Sequence, residues 1–86
     1  MDLDNCSIGT EFRCGERIYR CTDLGMRTVI AIRIDQVEVR NMSGPVISTK
    51  VLSRSEAQAQ GWFNGPPYAV AEFVFNEDDL EECEPI

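Results

Sequence analysis

Histidine is absent from this chain of 86 residues, and lysine occurs once, at Lys50. The first absence removes the Ser-His-Asp and Cys-His arrangements, the commonest proton shuttle and the commonest metal ligand. No P-loop, GxGxxG or HExxH pattern occurs. Apolar runs are short. The longest lies around Val29 to Ile32, far below the ~20 residues that a membrane-spanning helix needs. The opening Met1-Asp2-Leu3-Asp4-Asn5 is acidic and has no apolar h-region, so it does not read as a secretory signal. A cytoplasmic location with reduced thiols is the expectation.

Carboxylate-only chemistry stays open in principle. A chain this small nevertheless leaves little room for a cleft of the usual ~300 Å³ or more. We therefore expect no enzyme and no cofactor.

The cysteines are Cys6, Cys14, Cys21 and Cys83. Zinc sites usually begin with two cysteines two to four residues apart, because a tight turn must aim both thiolates at one ion. Here the spacings are wider. Cys14 and Cys21 can approach across a hairpin, but small buried hydrophobes are the simpler reading, so no metal is expected. Whether the thiols pair stays open.

Net charge is −7 and unevenly placed. Residues 1–75 hold nine acids against all eight bases, and residues 76–86 hold the other six acids and no base. A near-neutral domain thus carries an acidic C-terminal segment, which repels nucleic acid and attracts basic surfaces. Arg13, Arg17, Arg20 and Arg27 surround Phe12 and Tyr19, a mixture able to grip phosphate or stack on bases. Their acidic neighbours Glu11, Glu16 and Asp23 leave no net basic patch, so direct nucleic-acid binding is disfavoured.

The pattern is that of one mainly-β domain over 1–86, with a loose lead-in at 1–9 and the acidic segment at 76–86. Thr10–Cys14 and Arg17–Asp23 flank Gly15-Glu16, a turn of the Gly-X kind. A two-residue loop sets Phe12 opposite Tyr19, whereas a three-residue loop shifts the register, and both stay open. Asp23-Leu24-Gly25 reads as a turn. Arg27–Ile34 is the strongest strand, rich in β-branched residues, with Ile30 and Ile32 expected in the core. Asp35-Gln36 breaks the alternation, as a bulge or turn would. Val37–Met42 and Val46–Leu52 are strands joined by Ser43-Gly44-Pro45.

Ser53-Arg54-Ser55-Glu56 is a capping box for a short helix ended by Gly61. Ala69–Phe75 is the last expected strand. Asn76 then caps a short acidic helix ending near Cys83, with Pro85 closing it. About five short strands with turns every ten residues suggest a small SH3-like barrel or a strongly bent antiparallel sheet, with one or two short helical segments.

Two blocks carry a resemblance. The first is Phe12-Arg13-Cys14-Gly15 followed by Tyr19-Arg20-Cys21-Thr22-Asp23-Leu24-Gly25 and Arg27-Thr28-Val29-Ile30-Ala31-Ile32. The second is Trp62, then Asn64-Gly65-Pro66-Pro67-Tyr68-Ala69-Val70-Ala71-Glu72, Val74-Phe75, Glu77 and Asp79. Together they resemble a group of small uncharacterised proteins of proteobacteria. The resemblance implies a bacterial origin and a single domain, and supplies no activity and no functional residues.

Two segments are candidates for recognition. The Trp62–Tyr68 loop offers Trp62, Phe63 and Tyr68, with prolines that pre-order it, although Trp62 and Phe63 are equally suited to plugging a small core. The acidic segment offers Glu77, Asp78, Asp79, Glu81 and Glu82. The expectation is a non-catalytic protein-binding module, an inhibitor or adaptor facing a protein partner with a basic surface, such as a nucleic-acid-handling protein. In size and charge the chain is similar to small acidic proteins of bacterial mobile elements that inhibit defence systems. The alternative is a small metal- or nucleic-acid-binding regulator using the cysteines or the arginine-rich hairpin.

Overall fold

A computed structural model describes residues 1–43 and 46–86. The chain begins with a 3-10 turn at Leu3–Asn5, then forms strands β1 (Glu11–Cys14), β2 (Arg17–Leu24), β3 (Thr28–Arg33), β4 (Gln36–Ser43) and β5 (Val46–Ser53). Helix α1 (Arg54–Ala59), strand β6 (Glu72–Asn76), helix α2 (Glu77–Glu81) and strand β7 (Cys83–Pro85) complete it. The protein is mainly β. Five strands form one antiparallel sheet in the order β6-β3-β2-β1-β7, and β4 and β5 form a second. Of the two mainly-β arrangements expected, the structure takes the open sheet: among the described residues, β6 and β7 stand at opposite edges and no barrel closes.

The first hairpin follows the two-residue register, with Phe12 opposite Tyr19 and Cys14 opposite Arg17. Gly15 takes a φ of +65° while Glu16 stays negative, which is the type II′ pattern that matches strand twist. β2 runs on through Leu24, so the expected turn at Asp23-Leu24-Gly25 begins two residues later. A one-residue register shift lies between Cys21 and Asp23.

Strand β3 is buried on both faces, which explains its nearly continuous apolar run. Val29 and Ala31 join Cys6, Phe12, Tyr19, Cys21, Phe75, Leu80 and Cys83 in one cluster. Ile32 joins Ile34, Val37, Leu52, Ala57 and Phe63 in the other. Ile32 is fully buried as expected, whereas Ile30 is only half-buried. The first cluster is aromatic at its centre. The Phe75 ring meets Phe12 edge-on at 5.3 Å and Tyr19 at 5.0 Å between centroids, a geometry that adds to simple burial.

At Asp35-Gln36 the structure places neither a bulge nor a simple turn within one sheet. The chain leaves the five-stranded sheet there and enters the two-stranded one, which is why the parity of the alternation changes. The expected Gly44-Pro45 turn between β4 and β5 lies outside the described residues. Both helix caps form as the sequence indicated. Ser53 Oγ accepts from the Glu56 amide while Glu56 Oε1 accepts from the Ser53 amide. Asn76 and Asp79 make the same reciprocal pair. The chain past α2, expected to close at Pro85, instead returns to the sheet, where β7 pairs with β1. The expected lead-in at 1–9 holds the 3-10 turn, and the Met1 amine donates to the carbonyls of Leu80 at 2.9 Å and Cys83 at 3.0 Å.

A candidate docking edge

The two sequence candidates, the aromatic loop and the acidic segment, bracket one strand. Residues 62–71 lead into β6, and α2 follows it without a break. β6 pairs with β3 on one side, Val74 opposite Ile30 and Phe73 opposite Ala31, and stands at the sheet edge on the other. Its middle is apolar and open: Phe73 is 39% exposed and Val74 64%. Sheet edges normally carry lysine, proline or a bulge that discourages further pairing. β7 is protected in this way, being three residues long and ending in Pro85. β6 carries neither lysine nor proline over its five residues.

The loop is part core and part surface. Phe63 is buried among Ile32, Leu52 and Ala57, and its carbonyl accepts from Arg20 Nη2 at 2.8 Å. It supports the loop from within and offers no contact surface, which removes it from the residues expected to meet a partner. Trp62 and Tyr68 are half-buried against the same cluster. Trp62 Nε1 donates to Gln60 Oε1 at 3.1 Å. Tyr68 lies so close over Gly65 that a Cβ there would stand 2.7 Å from its ring. Only glycine allows the loop to fold back this tightly. Trp62, Val70 and Phe73 then line a groove of about 360 Å³, with Arg17, Arg33 and Glu38 on its polar side. A cleft of that size exceeds what the chain length suggested.

The acidic residues divide by role. Glu77 pairs with Arg27 across the strand end at 3.2 Å, and Asp79 is spent on the cap. Asp78, Glu81 and Glu82 are exposed. Leu80, fully buried, pins the helix to the first cluster and so fixes the direction in which these three carboxylates face.

The arginines of the first hairpin region are partly taken up inside the molecule. Arg20 holds the Phe63 carbonyl, Arg27 holds Glu77, and Glu11 is held by Arg54 at 2.9 Å. Among the described residues no three Cys, Asp or Glu side chains converge as a metal-ligand set. Burial pushes the Cys6 and Cys21 thiols above their ordinary range. Burial, aided by the hydrogen bond and charge of Cys14, pushes Cys83 up to about 12. Burial that keeps the Cys6 and Cys21 thiols protonated makes them poor metal ligands and poor nucleophiles.

No helix of the described residues is long and apolar enough to cross a membrane. Sequence reasoning missed the exposed edge of β6. The signal was present in Glu72-Phe73-Val74-Phe75-Asn76 as a strand without lysine or proline, but edge position is a property of topology. Compared with protein families, with curated proteins and with solved structures, the chain finds no match.

Proposed function

We propose that the protein is a non-catalytic binding module that docks a basic protein segment along β6. The observation that carries this reading is the placement of an open apolar edge strand between a pre-ordered aromatic loop and an acidic helix. An extended segment adding beside β6 would take its affinity from main-chain hydrogen bonds and its specificity from side-chain contacts, as in strand addition generally. Trp62 and Tyr68 offer half-buried aromatic surface at one end. Asp78, Glu81 and Glu82 offer negative charge at the other, which favours lysine- and arginine-rich partners and speeds their encounter. A nucleic-acid-handling protein of the cytoplasm, blocked or recruited through its basic surface, fits that chemistry. An anti-defence inhibitor is one form that such a module takes.

Affinity purification from the native host with mass spectrometry identifies the partner, and binding of that partner to Val74→Lys tests the site. Val74 is exposed, so the lysine leaves the fold intact while placing a gatekeeper charge on the edge. We expect binding to weaken at least tenfold. Unchanged affinity of the folded variant would remove β6 as the docking edge.

A further inference from the structure

We propose that Cys14 and Cys83 form a reversible disulfide by exchange with a small-molecule disulfide such as oxidised glutathione. The two residues are direct partners in the β1–β7 ladder. Cys14 also closes the two-residue turn opposite Arg17, so its amide and carbonyl face β2 and point away from β7. The Cys14–Cys83 position is therefore a non-hydrogen-bonded pair, where antiparallel Cα atoms come within ~4.5 Å and the side chains lean together. A disulfide spans Cα separations of about 4.4–6.8 Å, a range that includes pairs of this kind. Cys83 Sγ donates to the Asp79 carbonyl at 3.3 Å, one turn back in the chain.

The two sulfurs differ in access, which orders the steps. Cys14 is only half-buried, whereas Cys83 is 2% exposed. Cys14 loses its proton and attacks one sulfur of oxidised glutathione, and the released glutathione thiolate takes up a proton. Cys83 then loses its proton and attacks the Cys14 sulfur, expelling the second glutathione as a thiol. Two protein thiols are oxidised to one disulfide and one disulfide is reduced to two thiols. Capping of Cys14 in the first step removes the two influences that it exerts on the Cys83 thiol and leaves burial and the Asp79 charge to hold that proton against the pull of the N-terminal amine. The product ties the strand after α2 to β1 and so anchors the acidic helix from its far side.

The four cysteines fall on four different tryptic peptides, residues 1–13, 14–17, 21–27 and 55–86. Folded protein is incubated with oxidised glutathione, alkylated in denaturant and digested. The expected product joins peptide 14–17 to peptide 55–86, and thiol reductant reverses it. Cys83→Ser is expected to stop at the glutathione adduct on Cys14, while Cys6→Ser leaves the link intact. A Cys6–Cys21 link as the main product would overturn the proposal. So would a persistent Cys14 adduct in the unsubstituted protein, or four free thiols after prolonged exposure.

Discussion

Arg33 grips Asp35 through one guanidinium edge, Nε to Oδ1 at 2.6 Å and Nη2 to Oδ2 at 2.9 Å, at the step where the chain passes from one sheet to the other. Both side chains are about four-fifths shielded from solvent. Burial pushes the Asp35 carboxyl up, but the Arg33 hydrogen bonds and charge, with the backbone amides of Asp35 and Ile18, outweigh it and hold the group below the usual carboxylate range. A depressed folded value means that the ionised carboxylate stabilises the fold above the unfolded value. That contribution is lost as pH falls through the folded one. Asp35→Asn should lower stability at neutral pH and flatten the acid limb of the stability profile, read from urea midpoints across pH. An acid limb unchanged by the substitution would show that the pair does no such work.

Ile32 is fully buried in the second cluster. Ile32→Asp places a charge there without a partner, at a cost of several kcal/mol, comparable to the whole stability of a domain this small. The variant should be unfolded by circular dichroism. A cooperative melt at the wild-type temperature would contradict the burial of β3.

Leu80 is the one fully buried side chain of α2. Leu80→Ala should cost about 2–5 kcal/mol through lost burial and the cavity left behind. Asn76→Ala removes only the cap and should cost about 1 kcal/mol. Urea titration of both variants distinguishes anchoring by the core from anchoring by the cap, and equal losses would contradict this ranking.

Neutralising Asp78, Glu81 and Glu82 to the amides should slow association with a basic partner and flatten its dependence on salt. The fold should persist, because exposed charges usually contribute within ~0.5 kcal/mol. Association measured by stopped flow at several ionic strengths reads the effect. If the slope does not change, the acidic helix is not the steering surface.

Where local chemistry decides, the sequence was readable. Gly15-Glu16 announced its turn, Ser53 with Glu56 announced α1, and Asn76 announced α2, because each rests on hydrogen bonds within a few residues. β7 was not readable. Cys83-Glu84-Pro85 has no alternation of its own, and its strand character comes entirely from β1. Nor could the run Val29-Ile30-Ala31-Ile32 say that its two faces serve two separate clusters, since a strand covered on both sides loses the alternation that reveals a single core. The acidic half of the candidate site was visible as composition. The open edge beside it, and the withdrawal of Phe63 into the core, appear only when distant segments are brought together.

The double burial of β3 has a thermodynamic consequence. Val29 and Ala31 serve one cluster while Ile32 serves the other, so neither can lose its packing without disturbing a strand the other requires. Trp62, the sole tryptophan, packs against the second cluster, and Cys83 lies in the first. Denaturant curves followed by Trp62 fluorescence and by labelling of the Cys83 thiol should therefore share one midpoint, as a two-state transition requires. The molecule then has no half-melted species in which one layer survives alone.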